Sequence, residues 1–226
     1  VVRSITGTSG GNFEALTTTS TVSTNVTEDA DATTVTLSSA TNGTAITEGG
    51  SIVYTATVNN AVTGTPLVVT LSNGATITIP VGQTTANSAP VPVRGDDAYA
   101  QGTQTLAPVT ITGTTGGNYE AVNTTGTINN TVVDDTDATT VTLTASAGTV
   151  VEGNTITYTA TVSNAVTGSP LVVTLDNGTT ITIPVGQTTG TSAPVIVRAD
   201  DVYAQGNTTV VRSITGTSGG NFEALT

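Results

Sequence analysis

Residues Thr155–Val162 read "TITYTATV". Ile156, Tyr158, Ala160 and Val162 occupy one parity, and Thr155, Thr157, Thr159 and Thr161 occupy the other. Successive side chains of an extended backbone point to opposite faces, so this alternation buries one face and wets the other. A helix would scatter the same apolar residues around its axis. The stretch "SIVYTATV" at Ser51–Val58 repeats the pattern with Ile52, Tyr54, Ala56 and Val58. Both stretches are predicted to be half-buried strands of antiparallel sheets.

Turn signals surround these strands at short intervals: "TEGG", "VTGTP", "SNG", "IPVGQ", "GDDAY" and "TTGGN". They divide the first half of the chain into seven predicted strands, near 33–39, 50–59, 66–72, 75–80, 87–94, 105–112 and 119–133. Seven short strands in about 100 residues point to an immunoglobulin-like β-sandwich. The fold class is therefore all-β.

The same unit recurs. "DATTVTL" at Asp31 returns at Asp137, while "YTATV" at Tyr54, "PLVVTL" at Pro66 and "TITIPVGQTT" at Thr76 return 104 residues later. Val1–Thr17 and Val210–Thr226 are identical. The predicted organisation is the last strands of a truncated repeat at 1–30, one sandwich at 31–136 and a second at 137–226 with its last strand incomplete. Identical ends at one phase of the repeat suggest a window on a longer array.

Composition narrows the chemistry. The 226 residues are 36% hydrophobic but only 3% aromatic, so the core is expected to be built from Val, Ile, Leu and Ala. The chain contains no His, Cys, Met, Trp or Lys. Thiol chemistry, Ser-His-Asp triads, His-bound transition metals and Lys Schiff bases are thereby excluded. A net charge of −12 argues against nucleic acid or an anionic membrane as partner. No stretch reaches the ~18 continuous apolar residues of a membrane-spanning helix. Carboxylates, amides and hydroxyls remain, and oxygen donors suit calcium.

The acids fall in a pattern. If consecutive strands alternate in direction, one pole of the sandwich carries Glu48 (after the first strand), Asp96 and Asp97 (after the fifth) and Asp134, Asp135 and Asp137 (after the seventh). The second repeat places Glu152, Asp200 and Asp201 in the same way and adds Asp176 after its third strand. Glu28, Asp29 and Asp31 form the corresponding cluster of the truncated repeat. Like charges gathered this closely must protonate, splay apart or share a cation. Calcium at the junction is expected, as against a merely solvated acidic pole. Glu120, Glu14 and Glu223 lie in the turn before the seventh strand, at the opposite pole. They read first as solvated turn residues, although stacking of repeats would bring Glu223 toward Asp134–Asp137. Tyr99 and Tyr203 read as packing residues.

The run "TEGGSIVYTATV … ITIPVGQTT … VRGDDAYAQG" resembles the Calx-beta motif. It resembles more closely the tandem extender repeats of large bacterial biofilm adhesins exported by type I secretion. The resemblance implies β-sandwiches that bind Ca2+ at one pole and hold a distal binding domain away from the cell. By position it implies the ligands Glu48, Asp96, Asp97, Asp134, Asp135 and Asp137, then Glu152, Asp200 and Asp201. Gln101 and Gln205 stand where Calx-beta sequences often carry further acids, so one or two ions per junction are expected.

The expected function is therefore a calcium-rigidified spacer of an extracellular surface adhesin or fibre, about 35–45 Å per repeat. Its partners are the neighbouring repeats, with no nucleic acid and no membrane insertion by this segment. No catalytic residue is assigned. Alternatives are a filament subunit joining identical molecules by strand donation around Phe13–Thr27, and a carbohydrate- or protein-binding module. A carbohydrate site usually wants exposed aromatics, and five Tyr and two Phe, mostly in core-like positions, supply few.

Overall fold

In a computed structural model covering residues 1–226, every regular element is a β-strand. Two separate apolar cores lie along the chain, of 15 buried residues in the first repeat and 10 in the second. Both are aliphatic apart from one tyrosine each, Tyr54 and Tyr158. Burial alternates along the strands as the sequence predicts: Ile52, Tyr54, Ala56 and Val58 are inside, and so are Ile156, Tyr158, Ala160 and Val162.

The first repeat is a sandwich of two four-stranded sheets. One runs Ala121–Thr125, Ala32–Ser38, Thr55–Val58, Thr85–Asn87, and the other Thr127–Ile128, Val109–Thr115, Leu67–Leu71, Thr76–Ile79. Leu67, Val69, Leu71, Ile77 and Ile79 of the second sheet pack against Val35, Leu37, Ala56 and Val58 of the first. Each such Val, Leu or Ile side chain contributes about 1.5–3 kcal/mol when removed from water.

The second strand is interrupted near Tyr54. There Ser88 Oγ accepts the Tyr54 amide at 3.1 Å, while the Ser88 amide donates to the Tyr54 carbonyl at 2.8 Å. A side-chain hydroxyl thus substitutes for a ladder carbonyl and re-aims the strand. Ser192 does the same for Tyr158.

The seventh strand departs from the single continuous strand expected at 119–133. It is built of three pieces. Ala121–Thr125 pairs parallel with Ala32–Thr36, Thr127–Ile128 pairs antiparallel with Val109–Thr110, and Thr131–Val133 lies between Ala45–Thr47 and Gln104–Thr105. The strand therefore crosses from one sheet to the other. Gly126 makes the crossing: its φ is +101°, and a Cβ there would sit 2.2 Å from the Leu37 carbonyl oxygen. Only glycine fits such a position.

The second repeat reproduces this plan as far as Ala224–Leu225, which pairs parallel with Ala138–Thr139. Residues 127–133 have no counterpart within it. Accordingly 149–151 and 208–209, whose equivalents Ala45–Thr47 and Gln104–Thr105 flank Thr131–Val133, form no strand. Residues 1–30 are exposed throughout and contain one short ladder, Val2–Ser4 with Thr21–Ser23.

Candidate metal centre at the repeat junction

The two repeats meet through turns. The loop Asp96–Gln101, which precedes the sixth strand of the first repeat, lies against the turn Asn221–Glu223, which precedes the seventh strand of the second. The Ala100 amide donates to the Asn221 carbonyl (3.1 Å) and the Glu223 amide to the Ala98 carbonyl (3.2 Å). The Asn221 side-chain amide donates to the Ala100 carbonyl (3.0 Å). Tyr99 stacks on Phe222 with ring centroids 5.7 Å apart, and its hydroxyl donates to the Ala165 carbonyl at 2.8 Å. Tyr99 is thus a packing residue between repeats rather than within one. Tyr203, its equivalent, is 74% exposed.

Carboxylates gather beside this contact. Oxygens approach within 4.8 Å of one another in the sets Glu48–Asp134–Glu223, Glu48–Asp96–Asp135 and Asp135–Asp137–Glu223. The shared members link these sets into one cluster of six acids. Glu48, Asp96, Asp134 and Asp135 belong to the first repeat, and Asp137 and Glu223 are supplied by the second. The Asp137 amide donates to Glu223 Oε2 at 2.6 Å, which locks the second repeat's turn onto the linker. The reading of Glu223 as a solvated turn residue is therefore corrected: stacking of the repeats half-buries it.

Glu48 sits at the centre. Its side chain is fully buried, and Arg94 Nε donates to its Oε2 at 2.8 Å. Gly49 explains the Glu-Gly pair in the motif: at φ +71° it admits the Asp96 Cβ to 2.9 Å from where its own would stand. Glu48 Oε1 is buried with no hydrogen-bond partner, and so is Glu223 Oε1.

Arg94 is the cation that the sequence reading did not use. Besides Glu48 it binds Asp134 and donates to the Gly102 carbonyl at 3.0 Å. Asp134 also accepts the Gln101 and Gly102 amides at 2.6 and 2.7 Å. Burial raises the Asp134 pKa, but those two amides and Arg94 outweigh it and hold the carboxyl below its usual range. Asp96 has no such relief. Asp137, burial, Asp135 and Asp97 together push its pKa up. For Glu223 the Asp137 amide acts downward, yet burial and the charges of Glu48, Asp134 and Asp135 prevail and raise it.

The remaining predicted residues are distributed as follows. Asp97 turns back into its own loop, accepting the Tyr99 amide at 2.8 Å and the Gln101 side-chain amide. Asp201 does the same with Tyr203 and Gln205. In the second repeat Glu152 is bound by Arg198 at 2.6 Å, and Asp200 lies beside Gly153. Neither joins a three-carboxylate group, since the acids that follow the seventh strand have no counterpart there. Asp176 faces Arg212 at 3.7 Å.

Ahead of the first repeat the linker arrangement recurs: the Asp31 amide donates to Glu120 Oε2 at 2.6 Å, and Asp29, Asp31 and Glu120 converge. Glu28 shares a hydrogen bond with Glu120 that raises the Glu28 pKa, reinforced by the Glu120 charge. Glu14 is exposed. Sequence reasoning underrated Glu120 and Glu223, although "GGN" followed by an aromatic residue and Glu occurs three times in the chain.

The donor set is oxygen only and strongly anionic, with one guanidinium among the six acids. It fits a hard divalent cation and not a soft transition metal. No curated protein and no solved structure matches the chain. No helix is long and apolar enough to cross a membrane. The LapA domain matches twice, over residues 31–136 and 137–226. The chain therefore belongs to the LapA domain family, a non-enzymatic, adhesin-related family of surface adhesion and biofilm.

Proposed function

We propose that this chain is a spacer of a secreted surface adhesin, and that Ca2+ bound at the junction keeps consecutive repeats in line. The ligands are Glu48, Asp96, Asp135, Asp137 and Glu223, with Arg94 neutralising Asp134 and one oxygen of Glu48. One observation carries the reading: the buried Oε1 atoms of Glu48 and Glu223 lack any hydrogen-bond partner. A buried carboxylate oxygen left unpaired is costly, and its burial is tenable when a cation completes it. Because Asp137 and Glu223 come from the second repeat and Glu48, Asp96 and Asp135 from the first, a bound ion would tie two domains. A rod is the mechanical result, since Tyr99 and Phe222 stack on one side of the tie.

Ca2+ titration by calorimetry, thermal unfolding with and without EDTA, and small-angle scattering test this together. Binding, a higher Tm and a longer maximum dimension in calcium are expected. A melting point and length indifferent to chelation would defeat the calcium joint.

A further inference from the structure

Every nitrogen of the Arg94 guanidinium is engaged at the junction. Nε donates to Glu48 Oε2 at 2.8 Å, Nη2 donates to Asp134 Oδ1, and Nη1 donates to the Gly102 carbonyl at 3.0 Å. These partners come from three places: the turn after the first strand, the loop before the sixth, and the linker after the seventh. The side chains are largely dry, with Arg94 14%, Asp134 17% and Glu48 0% exposed. A guanidinium does not lose its proton in a protein, so this positive charge is permanent.

Arg94 divides the acidic cluster in two. Asp134 has both oxygens occupied, Oδ1 by Arg94 and Oδ2 by the Gln101 and Gly102 amides. Glu48 is split: Oε2 is taken by Arg94, while Oε1 is buried without a partner. Of the three carboxylate sets, Glu48–Asp134–Glu223 thus has two members already held by the guanidinium. In the other two, Glu48–Asp96–Asp135 and Asp135–Asp137–Glu223, only Glu48 touches Arg94, and its Oε1 stays free. The second repeat carries the same clamp, Arg198 donating to Glu152 Oε2 at 2.6 Å and to the Gly206 carbonyl at 2.9 Å. In both repeats the arginine stands two residues before the paired Asp, in "VRGDD" and "VRADD".

We propose that Arg94 is the resident cation of the junction, filling the inner position at Glu48 and Asp134 that a further divalent ion would otherwise take. This inference rests on the calcium reading above and concerns how many ions the joint accepts. Calcium is confined to the outer side, at Glu48 Oε1, Asp96, Asp135, Asp137 and Glu223. All of Arg94's partners belong to the first repeat, whereas Asp137 and Glu223 of the second are left to the ion. Withdrawal of calcium therefore frees the joint without opening the pole of the repeat, because a covalently attached charge still gathers the two loops and the linker. Lysine would supply the charge but not the fork that reaches three groups.

Native mass spectrometry of the whole chain counts bound Ca2+, and thermal unfolding in EDTA reads the metal-free pole. Arg94→Gln should bind one ion more than the wild-type chain. Its Tm in EDTA should be lower by about 5 °C or more and should recover in calcium. Adding Asp134→Asn to that variant should return the ion count to the wild-type value. Arg94→Lys should keep the wild-type count and still melt earlier in EDTA, and it decides the matter if Arg94→Gln does not fold. Wild-type uptake with an unchanged count in Arg94→Gln would overturn this inference and leave the calcium joint standing. So would a Tm in EDTA that neither substitution lowers. A wild-type chain that takes up no calcium would overturn the joint and this inference together.

Discussion

Glu48→Gln keeps the shape of the buried side chain and removes the charge that its unpartnered oxygen carries. If a cation completes that oxygen, the calcium-dependent rise in Tm should disappear while the variant still folds. Glu223→Gln tests the same joint from the other repeat. Calcium affinity should fall about tenfold or more, because charge count tunes such sites. Asp97→Asn is the contrasting case: this carboxylate serves its own turn, so calcium affinity should change little. Calorimetry on the three variants separates joint ligands from turn residues. Tyr99→Phe keeps the Phe222 stack and loses the hydrogen bond to Ala165, which should cost about 0.5–1.5 kcal/mol of coupling between repeats.

At the level of the strand, the crossing of the seventh element between sheets depends on one backbone angle. Gly126→Ala forces a Cβ against the Leu37 carbonyl at positive φ. It should destabilise the first repeat by about 2 kcal/mol or more in urea unfolding. Gly113→Ala, in open space on the sixth strand, serves as the control and should change little. The Ser88 and Ser192 hydroxyls are a second device of this kind. Each supplies an acceptor where the second strand leaves its ladder, so Ser88→Ala leaves the Tyr54 amide unpaired in the core.

Across the whole molecule, the repeats differ in completeness. The second has the smaller core, so in this segment it should unfold first on heating. Hydrogen exchange should show faster exchange at Tyr158–Val162 than at Thr55–Val58. Acidity acts on the junction in two directions. Asp96 and Glu223 have raised pKa values, so the contribution of their protonated forms is present below the usual carboxylate range and is lost as pH rises through the raised values. Asp134 is lowered, so its contribution persists until pH falls through that lower value. In EDTA the Tyr99–Phe222 contact should therefore gain exchange protection as pH falls from neutral through those raised values. In calcium the trend should reverse, because protons compete for the ligands.

Much of this was legible along the chain. Alternation at Thr155–Val162 and Ser51–Val58, with turn signals between, determined strands, faces and fold class, because side-chain parity in an extended backbone is a local property. Recurrence of whole blocks determined that two like units follow one another. The acids of separate turns were traceable to one pole through strand direction alone. What tertiary structure decided was which groups meet across that pole. Arg94, Glu48 and Asp134 come from distant turns, and Glu223 arrives from another domain, so their contacts depend on packing rather than on neighbours in sequence. The parallel pairing of Ala121–Thr125 with Ala32–Thr36 is likewise non-local. It arises because one strand completes both sheets, and alternating hydrophobicity alone does not say which edge a strand will join.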